Sequence, residues 1–144
     1  MILTTKDPDL KELALEVLYR EVGVEPCNTT QAIMWVNPTS GDLVWLVGYT
    51  NFLGKTCQMH VVKFKGHLSP KQMLKACFDY PFNQLGLKIV FGIVNSNNKK
   101  ALHYDQRLGF KEAIRFPKVH TDDGDLVVLQ MNKDECRWIR EGNK

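Results

Sequence analysis

Apolar positions change period several times along the chain, and each change marks an element. In "KDPDLKELALEVLYREVG" Leu10, Ala14, Val17 and Leu18 recur at helical spacing, Asp7 before Pro8 marks a helix start, and Gly23 marks its end. The preceding "MILTT" reads as an edge strand, while "QAIMWV", "LVWLVGYT" and "TCQMHVVKF" read as an antiparallel meander. "NPTSGD" supplies the first of its turns and "NFLGK" the second.

After "KGHL" the helical period returns. Ser69, Pro70 and Gln72 form a capping box with proline at the first helical position, which predicts a helix through "MLKACFDY" that Pro81 ends or kinks. Gly86 precedes "LKIVFGIV", an apolar run with the character of a strand buried on both faces. "NSN" makes a loop, "NKKALHYDQRL" a short helix closed by Gly109, and "KEAIRF" and "DLVVLQM" a hairpin around "TDDG". "NKDECRWIREG" reads as a last short helix, capped by Asn132 and packing Trp138. This order implies an α/β fold: a mixed, mostly antiparallel twisted sheet with helices on both faces.

Composition narrows the function class. The chain has 144 residues, 44% hydrophobic and 24% charged, the profile of one globular domain spanning 1–144 without a linker or repeat. The net charge of +3 is spread along the sequence, which argues against nucleic acid and leaves anionic small molecules as partners. Cys27, Cys57, Cys77 and Cys136 have no metal-ligand or redox spacing, so buried free thiols and no metal are expected. "MILTTKDPDL" lacks the pattern of a signal peptide and no segment reaches the length of a membrane span, so the expected location is the cytoplasm.

The short helix after "NSN" needs a purpose. Ala101, Tyr104, Asp105 and Leu108 share one of its faces, Asn98 stands at its start, and Gly109 lets the chain turn sharply into Phe110. The segment "FDYPFNQLGLKIVFGIVNSNNKKALHYDQRLGF", Phe78 to Phe110, resembles the second half of the GNAT superfamily of N-acetyltransferases, with an asparagine-led loop, N-x-x-A and a terminal L-G-F. The element order extends the likeness more weakly over nearly the whole chain, in particular to small GNAT-like proteins of phage and prophage genomes.

The resemblance implies acetyl-CoA as co-substrate, bound where two central parallel strands, "TCQMHVVKF" and "LKIVFGIV", splay apart and expose main-chain polar groups. It implies contacts from Val61 and Val62 on the first strand, from Asn95 after the second, and from Asn98 and Ala101. Asn98 serves equally as a helix cap, and both roles can hold. The pyrophosphate loop of the family, Q/R-x-x-G-x-G/A, corresponds to "KGHLSP", with Leu68 and Pro70 where small residues are usual. Lys65, Gly66, Ser69, Lys71 and Gln72 remain to form a weaker cradle.

A second departure concerns the proton donor. Many relatives place a tyrosine at the position of Asp105 to protonate the CoA thiolate; an aspartate does this only where burial raises its pKa. Tyr104 is adjacent, but one residue of helix rotates a side chain by about 100°. His60 is the candidate base, with a hydrogen-bonded structural histidine as the alternative. His67 and His103 look less well placed, and His120 and the acids Asp122, Asp123 and Asp125 fit ordinary turn chemistry. Two functions stand: an N-acetyltransferase acting on a primary amine by direct attack, with a homodimer left open by the edge strand and Trp138, and a catalytically degenerate binding or virion-associated protein.

Overall fold

The computed structural model describes residues 2–64 and 71–139. Its elements are β1 (Ile2–Thr4), α1 (Pro8–Val22), β2 (Gln31–Val36), β3 (Leu43–Leu53), β4 (Thr56–Lys63), α2 (Lys71–Asp79), β5 (Ile89–Asn95), α3 (Lys99–Leu108), β6 (Lys111–Phe116) and β7 (Leu126–Asn132). The strands form one seven-stranded sheet in the order β1-β2-β3-β4-β5-β7-β6, antiparallel at every junction except the parallel β4–β5 pair.

Helix α1 follows from its sequence. The Asp7 carboxylate accepts from the Asp9 amide, Pro8 opens the first turn, and Gly23 closes the helix at φ 70, a left-handed conformation that glycine adopts without strain. Ala14, Val17 and Leu18 bury against Ala32, Met34, Leu46 and Val62, which places α1 over β2 to β4 on one face of the sheet. Gly48 makes the close approach possible, because a Cβ there would lie 2.7 Å from the Leu18 methyl carbons.

The larger core lies on the other face, where Met73, Cys77, Phe78 and Phe82 from the α2 segment and Leu108 from α3 meet Trp45, Tyr49, Val90, Leu129 and Met131. The buried Tyr49 hydroxyl donates to the Cys77 carbonyl and ties β3 to α2. Helices therefore cover both faces, as the sequence implies.

Several expectations are corrected. The α-helix ends at Asp79, just before Pro81, but the chain stays helical past the proline in a π-helical turn at Tyr80–Gln84, whose wider ring tolerates the missing amide. β3 runs through most of the expected "NFLGK" turn to Leu53, with an irregularity after Thr50, and reverses at Gly54. The last helix is two 3-10 turns, Lys133–Glu135 and Arg137–Ile139, and Asn132 does not cap them; its amide donates instead to Glu135 Oε1 at 2.9 Å. Trp138 does pack on the core and donates its Nε1 to the Leu108 carbonyl at 2.8 Å. Cys27 is exposed, although Cys57, Cys77 and Cys136 are buried, and all four are free.

β5 is buried on one face only. Val90, Gly92 and Val94 are covered, whereas Ile93 is 46% exposed, because α1 reaches no further across the sheet than β4.

Candidate functional site

β4 and β5 pair only at Thr56↔Ile89, Cys57↔Val90 and Gln58↔Phe91. Beyond that point β4 stays zipped to β3 as far as Lys63, and β5 stays zipped to β7 as far as Asn95. Each strand follows its own outer neighbour, so the two part. The opening is a cleft of about 720 Å³ lined by Gln58, Met59, His60, Val61 and Lys63 from β4 and by Gly92 to Asn95 from β5. Asn98, Lys100, Ala101, His103, Tyr104, Asp105 and Arg107 of the α3 segment, with Val22 at the end of α1 and Phe110, complete its wall.

The register places these groups on two sides. His60 faces the α1 side, being paired with Gly48, which abuts Leu18. Asp105 faces the other side, since one carboxylate oxygen lies 3.6 Å from where a Gly92 Cβ would sit. The cleft thus passes through the sheet, with an imidazole at one mouth and a carboxyl group at the other.

Their surroundings shift both groups. Burial pushes the Asp105 carboxyl up to about 6 from its ordinary 3.8, because the charged form loses hydration without gaining a cationic partner. Burial lowers His60 from 6.5 to about 4, and its Nε2 lies 2.8 Å from Thr50 Oγ1. His60 is therefore a neutral, hydrogen-bonded imidazole at pH 7 and a weak base.

The remaining expected site residues divide. Val61, Asn95, Asn98, Ala101 and Tyr104 line the cleft. The Asn98 side chain accepts from the Ala101 amide at 3.2 Å, which makes it the cap of α3. Asn95 donates to Asp122 at 3.1 Å and its carbonyl oxygen accepts from the Asn97 amide, bracing the loop before α3 against the β6–β7 turn. The Val62 side chain is buried beneath α1, away from the opening. Lys71 and Gln72 are exposed on the first turn of α2 and do not line the cleft. Lys65, Gly66, His67, Leu68, Ser69 and Pro70 lie outside the described residues.

Sequence reasoning passed over several groups. Lys63 ends β4 with its ammonium 5.3 Å from the Trp45 ring centre and 5.6 Å from that of Tyr104, a cation held against two aromatic faces. His103, which looked poorly placed, lines the cleft with Lys100 and Arg107 in a stripe along one side of α3. The i, i+3, i+7 spacing of these three was the available signal. Among the described residues no cluster of His, Cys, Asp and Glu has the arrangement of a metal site.

No protein-family model matches the sequence, and no curated protein matches it. Solved structures do match in shape. A chimeric spermidine N-acetyltransferase from Vibrio cholerae aligns over 97% of this chain and 99% of its own at TM-score 0.69 and 15% identity. A point variant of that spermidine N-acetyltransferase aligns over 97% and 98% at TM-score 0.71 and 15% identity. The Vibrio cholerae enzyme in complex with CoA and spermine aligns over 97% and 98% at TM-score 0.69 and 14% identity.

The fold is that of the GNAT N-acetyltransferases. The strands that part in this chain are β4 and β5, and the helix that flanks them is α3.

Proposed function

We propose that this chain is a single-domain, acetyl-CoA-dependent N-acetyltransferase of the cytoplasm that acts on a primary amine. The observation that carries the reading is the parting of β4 and β5 after Gln58 and Phe91. Unpaired main-chain groups on the facing strand edges suit the amides of a pantetheine arm, and a cleft of about 720 Å³ has the size of a cofactor pocket. Lys63, Lys100 and Arg107 bring positive charge to the same opening, which favours an anionic cofactor. The CoA complex of the Vibrio cholerae enzyme supports the same assignment. A closeness to the small GNAT-like proteins of phage and prophage genomes is part of the proposal, and it is supported by overall resemblance of the sequence alone.

The neutral amine nitrogen attacks the thioester carbonyl. A C–N bond forms, the C–S bond breaks, and the oxyanion between these events is stabilised by main-chain N–H groups of the His60 strand. The amine loses one proton and the departing thiolate takes one. Asp105 supplies the latter: with its pKa at about 6 it is a proton donor near neutrality, which an ordinary aspartate is not. His60, with its pKa at about 4, is held by Thr50 and orients the acceptor instead of acting as a strong base, and the proton that the amine loses passes to water at the open mouth of the cleft.

Two measurements test this reading. Saturating acetyl-CoA raises the melting temperature by several degrees, and release of free CoA thiol follows on adding an amine. No stabilisation by millimolar acetyl-CoA refutes it. Binding without thiol release from any amine supports the degenerate binding protein, the reading that aspartate in place of tyrosine at position 105 otherwise favours.

A further inference from the structure

Resting on the acetyltransferase reading, we propose that the acceptor is a primary amine carried on an apolar or aromatic body, seated on the open face of β5, β7 and β6. On the side of the sheet where α1 covers β2 to β4, the register aligns Ile93 with Val128 and Ile114, and Leu126 with Phe116. Phe91 lies on the same side, two residues before Ile93. Ile93, Ile114 and Phe116 are 46%, 47% and 45% exposed, high values for large apolar side chains gathered on one surface.

Three features of this surface identify its occupant. First, it is continuous with the reaction cleft: Gln58, His60 and Ile93 lie on this side of the sheet and also line the opening. A molecule resting here has its nitrogen at the mouth opposite Asp105, the side from which an acceptor meets a thioester held between the strands.

Second, the three strands put no carboxylate on it. Their one acid, Glu112, lies opposite Leu129 on the other face and holds Arg115 at 2.8 Å. At the adjoining turn Asp125 also holds Arg115, at 2.9 Å, and Asp122 is taken up by Asn95 and the Gly124 amide, which leaves Asp123 at the turn's tip. At the other end of the face Glu135 is taken up by Lys111 and the Asn132 side-chain amide, so a polyamine, with several ammonium groups to neutralise, finds few carboxylates not already engaged. An apolar amine gains from the same surface twice, because burial of its body is favourable and desolvation lowers its pKa toward the neutral nucleophile. That second effect supplies what the weakly basic His60 does not.

Third, the size suits a small molecule. Three side chains nearly half exposed and three of intermediate exposure leave on the order of 400 Å² open, a functional patch on a monomer but about half of the ~800 Å² that each partner of a stable dimer buries.

The test compares phenethylamine with spermidine as acceptors at saturating acetyl-CoA, reading thiol release, with acetyl-CoA binding followed separately by thermal shift. We expect kcat/KM for phenethylamine to exceed that for spermidine by about 10-fold or more. Ile114→Asp and Phe116→Ser, neither of which lines the cleft, should each lower the phenethylamine value by a similar factor while the acetyl-CoA shift stays the same. Intact acetyl-CoA binding with spermidine preferred, or with neither amine acetylated, overturns this inference and leaves cofactor binding standing. Absence of any acetyl-CoA shift overturns the acetyltransferase reading with it. An Ile114→Asp variant that changes from dimer to monomer in sedimentation with unaltered phenethylamine kinetics assigns the face to a second copy and also overturns the inference.

Discussion

Replacing Asp105 with asparagine removes a charge that the folded protein holds at a cost. Raising a carboxyl from 3.8 to about 6 corresponds to about 3 kcal/mol at ~1.4 kcal/mol per pH unit. Between those values the native state keeps a proton that the unfolded chain has released, so this group's contribution to stability falls as pH rises, and the full penalty stands above pH 6. His60 has the opposite slope. Its pKa drops from 6.5 to about 4, so below 6.5 the unfolded state takes up a proton that the native state refuses, and stability falls as pH falls through that window, also by about 3 kcal/mol. The two trends oppose each other between about pH 4 and 6. Urea unfolding at pH 4, 5.5 and 8 separates them. Asp105→Asn should be stabilised by about 2–3 kcal/mol at pH 8, after the desolvation of the new amide, and by almost nothing at pH 4. His60→Gln should show the reverse: a loss of about 1 kcal/mol at pH 8 from the Thr50 hydrogen bond, and a net gain of about 2 kcal/mol at pH 4. Differences from wild type that do not change with pH would show that neither group is desolvated, and the proton-donor role of Asp105 would lose its physical basis.

Three further substitutions probe the scaffold and the site. Gly48→Ala drives a methyl group into Leu18, which is itself fully buried, and should cost about 1–3 kcal/mol in chemical denaturation. Tyr49→Phe removes the buried hydroxyl that donates to the Cys77 carbonyl and should cost about 1–2 kcal/mol, with a lower melting temperature. Asn98→Ala deletes the cap of α3 for about 1 kcal/mol; a cofactor contact as well would also shrink the acetyl-CoA thermal shift, whereas a cap alone leaves that shift intact.

Elements with local punctuation were legible in the sequence. Asp7–Pro8 and Gly23 bracket α1, and Asn98 and Gly109 bracket α3, because capping and left-handed closure are decided by neighbouring residues. The parted strands were expected from the family resemblance, and the pairing ends where that expectation needs it to.

Features set by distant parts of the chain were not legible. An apolar run such as "LKIVFGIV" has the same pattern whether one or both faces are covered, and only the reach of α1 decides that Ile93 stays open. The opposition of His60 and Asp105 across the sheet depends on the register of β3 with β4 and on the side taken by α3, neither of which periodicity contains. The pKa of Asp105 likewise depends on burial by residues far away in sequence. The Lys100, His103 and Arg107 stripe was present in the spacing but had no assigned partner until the cleft lay beside it.

The central claim is that the gap between β4 and β5 holds an acyl-CoA arm. A crystal structure of the protein with acetyl-CoA tests it most directly. The account predicts pantetheine running between Met59–Val61 and Gly92–Val94, with its sulfur on the Asp105 side and the acetyl carbonyl turned toward His60. Cofactor bound elsewhere, or a cleft left empty at saturating acetyl-CoA, would contradict it.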